Sequence, residues 1–237
     1  MTDDARHRLI VALDKDEEGN SRLVDTLGDS VTFYKVGAVS LFSGGERLLR
    51  RLLDAGKSVF LDLKIFDVPN TVGQSVARVA QLGVTFTTVH GNRPTVEAAV
   101  KGRGSSDLKI LAVTALTSLS AGDVREMYDL PHEISLSDHV VNTTRRMVEA
   151  GCDGVIASSH EVSAIRAAVP ADVLIVTPGI RLADDAPDDQ KRIATPYDSI
   201  RSGADYLVVG RSIYQHEDPV ARVERYVDEI ARGFSAR

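Results

Sequence analysis

Eight short apolar runs, each followed by a longer stretch with helical periodicity, recur along this 237-residue chain. The runs are Leu9–Leu13, Phe33–Val36, Ser58–Leu63, Phe86–Val89, Ile110–Val113, Gly154–Ala157, Val173–Thr177 and Tyr206–Val209. Between most of them lie helical patterns, among them Leu48–Ala55, Val72–Leu82, Thr95–Lys101, His139–Ala150 and Glu161–Val169, with Pro219–Arg232 closing the series. Strands alternating with helices build βαβ units and a parallel sheet. Eight such units with no long polar linker predict closure into one (β/α)8 TIM barrel, a single α/β domain over 1–237, close to the roughly 250 residues usual for that fold. The alternative is a doubly wound open sheet, which calls for a glycine-rich turn after its first strand; Leu13-Asp14-Lys15-Asp16 is not one. The pairs Ala55-Gly56, Leu82-Gly83 and Ala150-Gly151 stand where helices should stop, and glycine there supplies a left-handed turn.

Hydrophobic residues make up 43% of the chain but aromatics only 5%, with no Trp, so the core is expected to rest on Val, Leu, Ile and Ala. A net charge of −6 argues against nucleic acid or an anionic membrane as partner, while leaving room for a local basic site that takes a small anion. The lone cysteine, Cys152, rules out an intrachain disulfide and a zinc–thiolate cluster, and reads as a small packing residue ahead of the sixth strand. No segment approaches the roughly 20 apolar residues of a membrane span. Met1 to Arg8 is polar, without a signal-peptide core, and a reducing cytoplasmic location is expected.

Barrels of this type carry their chemistry where strands end and βα loops begin. Here those positions are charged. Asp14 ends the first strand, Lys35 flanks the second, and Asp62 and Lys64 end the third. The seventh runs into Thr177-Pro178-Gly179-Ile180-Arg181 and the eighth into Gly210-Arg211. Side chains alternate along a strand, so Phe60, Asp62 and Lys64 share one face and Leu61 and Leu63 the other. With the leucines against the helices, Asp62 and Lys64 point to the barrel mouth. Charge there must be paired, and Lys35 from the neighbouring strand is placed to do it. An isolated Asp-x-Lys reads as a structural ion pair; with Asp14 and Lys35 also at strand ends, the set points to catalysis. Beyond the strand, Pro69 should hold Val68 extended and Thr71 should cap the next helix, leaving Asp67 as a further charge without a structural reason.

These segments resemble the orotidine 5′-monophosphate decarboxylase family, in its bacterial form, over essentially the whole chain. The resemblance is carried by Val11–Asp14, Lys35-Val36-Gly37, Asp62-Leu63-Lys64-Ile65-Phe66-Asp67-Val68-Pro69-Asn70-Thr71-Val72, Val113–Ser118, Thr177–Arg181, Asp188–Arg192 and Val208–Arg211. Val68 departs mildly, the family usually having isoleucine. The resemblance implies a carboxy-lyase of de novo pyrimidine biosynthesis, a nucleotide substrate, and no metal or organic cofactor. It implies Lys64 as proton donor to C6, Asp62 against the substrate carboxylate, and Lys35 within a charged array. Asp67 and Thr71 would enter the site of a second subunit, making the enzyme a homodimer. Asp14 and Lys35 would contact the ribose, Thr117 or Ser118 the pyrimidine, and Arg181, Gln190, Gly210 and Arg211 the phosphate.

The segment Leu182–Lys191 would be the closing loop, with Asp184, Asp185, Asp188 and Asp189 read as solvated acids. His90 follows the fourth strand and is read as a hydrogen-bonded structural residue rather than a site group, and the other histidines lack metal-ligand spacing. The nearest rival is a Mg2+-dependent sugar-phosphate decarboxylase or aldolase of the same barrel group. Such enzymes generally carry an acid near the second strand, where this chain has Lys35. A noncatalytic phosphate-binding scaffold is the rival of another class, and it predicts loss of Asp62, Lys64 or Asp67; all three are present.

Overall fold

The eight apolar runs become eight parallel strands that close on themselves. In the computed structural model, which describes residues 2–185 and 194–237, with side chains from residue 4, these are β1 (Leu9–Leu13), β2 (Phe33–Gly37), β3 (Ser58–Ile65), β4 (Phe86–His90), β5 (Lys109–Val113), β6 (Gly154–Ile156), β7 (Leu174–Pro178) and β8 (Tyr206–Val209). Each pairs with its sequence neighbours, and β1 pairs with β8 through Leu9 opposite Leu207 and Val11 opposite Val209. That last pairing removes both sheet edges and excludes the open-sheet alternative.

Alternation sorts the strand side chains into two cores. One set faces the helices, among them Val11, Val36, Leu61, Ile110 and Val209. The other points into the barrel: Ile10, Phe33, Phe60, Phe86, Leu111 and Val176 are among its members. The buried core is largely aliphatic, as expected. Four aromatics gather inside the barrel, where Phe86 meets Phe33 at 5.1 Å, Phe60 at 6.1 Å and Tyr206 at 5.1 Å between ring centres. Most stand at or near the first residues of their strands, so they fill the N-terminal end and leave the C-terminal end open. Below them the rim is pinned by two acids. Asp153 accepts the Ile110 N–H and pairs with Arg103; Asp205 accepts the Ile175 N–H and pairs with Arg166.

Gly56, Gly83 and Gly151 have φ of 69°, 80° and 93°, the left-handed stops expected of them. The expected helices are present with ends shifted by a few residues, as in Pro69–Gln81 and Leu136–Glu149. Val68 is extended as its proline neighbour requires, but Thr71 does not cap the helix: the N-cap is Val68, and Thr71 lies inside the first turn. Pro69, with no N–H to satisfy and φ already helical, starts the helix without a side-chain cap. Cys152 is buried in the outer core, and desolvation pushes its thiol up to about 12.

Candidate active site

A cavity opens at the C-terminal end of the barrel, on top of Phe60. Its walls are apolar, from Val113, Ala115, Leu116, Ile156, Pro178 and Val208, with Thr117 beside them. One side is charged: Lys35, Asp62 and Lys64 line it.

The charges form a chain of alternating sign. Lys35 Nζ donates to Asp14 Oδ1 at 2.9 Å and stands 3.9 Å from Asp62 Oδ2, which accepts from Lys64 Nζ at 2.7 Å. Lys35 and Asp62 have side chains only 12% exposed, whereas Lys64 is 46% exposed and reaches over the cavity. Four charges this close are tolerable because each has an opposite neighbour, and the two poorly solvated members, Lys35 and Asp62, each have two. Gly37 leaves space for the array, since a Cβ there would sit 3.3 Å from Lys35 Nζ.

Lys64 is held in an unusual way. Its φ is +47°, a conformation that costs a non-glycine residue roughly 1–3 kcal/mol and persists only where surroundings enforce it. The cause is a bulge: Leu61 pairs with Thr87 but Ile65 with Val89, so four steps along β3 match two along β4. The backbone groups released there are taken up by two buried threonines. Thr87 Oγ1 donates to the Leu61 carbonyl at 2.9 Å. Thr88 Oγ1 accepts the Lys64 N–H at 2.9 Å and donates to Asp62 Oδ1 at 2.7 Å. Thr88 thus grips both residues of the Asp-x-Lys pair, and strand parity puts it on the same inward face as Phe86. Its only sequence signal is a hydroxyl between Phe86 and His90 on that face, too weak to single it out.

The remaining expected residues fall into groups. Thr117 lines the cavity, while Ser118 is exposed and does not. Asp67 and Thr71 are exposed and outside the cavity; the Asp67 carboxylate accepts the Val68 N–H at 2.6 Å. Beside them Phe66 and Val68 are 69% and 64% exposed. Pro178 of β7 pairs with Val208 of β8, and three residues beyond each stand Arg181 and Arg211, so the two arginines leave adjacent strands in step. Gly210 packs against the array, a Cβ there lying 3.6 Å from Asp14 Oδ2. Gln190, with Asp188 and Asp189, lies outside the described residues.

Two expectations are overturned. Asp184 and Asp185 are not merely solvated. Both pair with Arg222 of the helix Pro219–Ser235, and Asp184 also with Arg225. Hydrogen bonds from Arg225 and Arg222 hold the Asp184 carboxyl well below the usual carboxylate range. The error came from sequence distance: the partners lie nearly forty residues away. His90 lies outside the main cavity, as expected, but its ring packs on Phe66 at 4.6 Å and its Nδ1 has no hydrogen-bond partner among the described residues. It lines a neighbouring cavity with His139, and burial lowers the pKa of both from 6.5. Among the described residues no group of three or more His, Cys, Asp or Glu side chains is arranged to hold a metal ion.

The model of the Orotidine 5'-phosphate decarboxylase / HUMPS family matches residues 7–226. The chain belongs to that family. Among its relatives, a protein of Nitrobacter winogradskyi named orotidine 5'-phosphate decarboxylase is 47% identical over 231 residues, covering 97% of this chain and 95% of that one. A protein of the same name from Methylococcus capsulatus is 45% identical over 97% of this chain and 94% of its own. The crystal structure of orotidine 5'-phosphate decarboxylase from Lactobacillus acidophilus superposes with a TM-score of 0.81 at 35% identity, covering 94% of this chain and 99% of that one. Family membership and the closed parallel barrel agree with the sequence reading.

Proposed function

We infer that this protein, acting as one catalytic domain over 1–237, converts orotidine 5′-monophosphate to uridine 5′-monophosphate and CO2, without a metal or organic cofactor. The observation that carries the reading is the alternating array Asp14, Lys35, Asp62, Lys64 along one side of an apolar cavity of the barrel mouth, in a chain whose relatives bear the decarboxylase name. The pyrimidine ring lies between the apolar walls with its C6 carboxylate toward Asp62 and Lys64. The C6–carboxyl bond breaks, CO2 departs, and the electron pair stays on C6, where the ring delocalises it poorly. The Lys64 ammonium stabilises that developing charge more than it stabilises the spread charge of the starting carboxylate, and only such a difference speeds the step. Lys64 then gives its proton to C6 and is reprotonated from solvent.

Asp14 and Lys35 take the ribose hydroxyls, and Thr117, which lines the cavity, is favoured over Ser118 for the pyrimidine edge. Arg181, Gln190, Gly210 and Arg211 take the phosphate, binding energy remote from C6 that can be spent on ordering the site. Asp67 and Thr71 serve the site of a second copy in a homodimer; their exposure away from their own cavity, beside exposed Phe66 and Val68, supports this. A cytoplasmic location and no nucleic-acid or membrane partner complete the proposal; among the described residues no helix is long and apolar enough to cross a membrane.

Lys35 also weighs against the Mg2+-dependent rival, because its ammonium already bridges Asp14 and Asp62, the carboxylates such a cation would need. The test is the fall in ultraviolet absorbance when orotidine 5′-monophosphate meets the purified protein, with and without a chelator. Turnover unchanged by chelation is expected. A flat signal from folded protein refutes the reading, and turnover abolished by the chelator and restored by Mg2+ refutes its metal-free part.

A further inference from the structure

One carboxylate joins the two segments that carry the phosphate arginines. Asp185 Oδ2 accepts the backbone N–H of Leu182, the residue after Arg181, at 2.8 Å. The same oxygen accepts from Ser212 Oγ, on the residue after Arg211, at 2.5 Å. Ser212 Oγ in turn accepts from the buried Tyr226 hydroxyl at 2.6 Å. The other carboxylate oxygen of Asp185 pairs with Arg222, whose side chain is 2% exposed. We propose that Asp185 is a positioning residue that sets the spacing of Arg181 and Arg211 for a phosphate monoester, with Ser212 and Tyr226 as its relay and Arg222 as its counter-charge.

β7 and β8 stay in register only to Pro178 and Val208. Beyond that point each arginine rides on its own loop or short helix, Arg211 opening the four-residue helix Arg211–Tyr214. Two phosphate-binding groups on independent segments must be brought to a fixed separation at the cost of binding energy unless the protein has already done so. Asp185 does this from behind, through atoms that need not touch the ligand. Charge-assisted hydrogen bonds are about twice as strong as neutral ones, which suits a carboxylate for the task. An unpaired acid beside two phosphate ligands would repel the dianion; Arg222 offsets that charge and, being buried, cannot swing away to bind the ligand itself.

The inference rests on the assignment of Arg181 and Arg211 to the phosphate, so its test separates the two. Inhibition constants of uridine 5′-monophosphate and of uridine are measured against orotidine 5′-monophosphate turnover, for the native protein, Asp185→Ala and Ser212→Ala. Asp185→Ala is expected to weaken the nucleotide roughly 10-fold or more, the loss expected of hydrogen bonds to a charged group, and to leave uridine unchanged. KM should rise more than kcat falls. Ser212→Ala removes one arm and should move the same ratio in the same direction by less, and it decides the matter if Asp185→Ala does not fold. A nucleotide-to-nucleoside ratio equal to the native one in the folded variants overturns the role of Asp185 alone. A native protein that binds both ligands equally overturns the phosphate assignment and this inference with it.

Discussion

Replacing Thr88 with valine should damage both the stability and the chemistry of the protein while barely changing shape. Thr88 is fully buried, and its one hydroxyl serves two partners, Asp62 Oδ1 and the Lys64 N–H. Losing the bond to the carboxylate costs about 1.5 kcal/mol or more, and leaving the Lys64 N–H without an acceptor costs about 1–3 kcal/mol. The low end of the sum, about 2.5 kcal/mol, corresponds to a fall in Tm of roughly 5–10 °C for a chain of this size. Some of that loss can be recovered if Lys64 leaves its φ of +47°, but such a relaxation moves the ammonium. A displacement of that kind should lower kcat/KM by roughly 10- to 100-fold, about 1.4 kcal/mol of transition-state stabilisation per factor of ten. Thr87→Val is the matched control, because the Thr87 hydroxyl is equally buried and donates to the carbonyl of Leu61, and neither residue lines the cavity. It should lower Tm and leave kcat/KM close to native. Steady-state turnover and thermal melts of both variants decide the point. If Thr88→Val keeps kcat/KM within about threefold of native, the threonine does not hold the catalytic pair and the argument fails.

Three further outcomes are expected. Lys64→Gly and Lys64→Ala should both lose turnover by roughly 1,000-fold or more, but the glycine variant should be the more stable by about 1 kcal/mol because its backbone accepts positive φ; equal melting temperatures would contradict the strain. Mixing Lys64→Ala with Asp67→Ala subunits should restore about a quarter of native turnover from two inactive parents, through one intact composite site per mixed dimer; no recovery would place Asp67 outside a shared site. Burial lowers the pKa of His90 and His139, so below the ordinary value of 6.5 the unfolded chain binds more protons than the folded one. Stability should therefore fall as pH drops through that value toward the folded ones, and the double variant His90→Gln, His139→Gln should show a smaller difference in Tm between about pH 7.5 and about pH 5.5 than the native protein.

What could be read from the chain follows the range of the forces involved. Strand positions and the inward face of Asp62 and Lys64 depend on local alternation, and β3 delivers them even though its end is bulged. Asp14 and Lys35 were legible for the same reason, since strand ends in a closed barrel converge. The helix Glu17–Leu27 was harder to see, because its buried face includes Gly19 and Asn20 rather than a clean apolar stripe. The bulge, the left-handed Lys64 and the grip of Thr88 all arise from the register between β3 and β4, and no pattern within either strand encodes it. Asp185 was misread because an acid in a loop looks the same whether it meets water or an arginine from the last helix.

The aromatic packing at the foot of the barrel has a consequence for everything above it. Phe33, Phe60, Phe86 and Tyr206 form a hydrocarbon floor beneath the charged side chains. Water and protons then reach the lysines from one direction only, so a ligand seated across the opening acts as a cork: it dries the chamber by its own presence and makes every field inside it stronger.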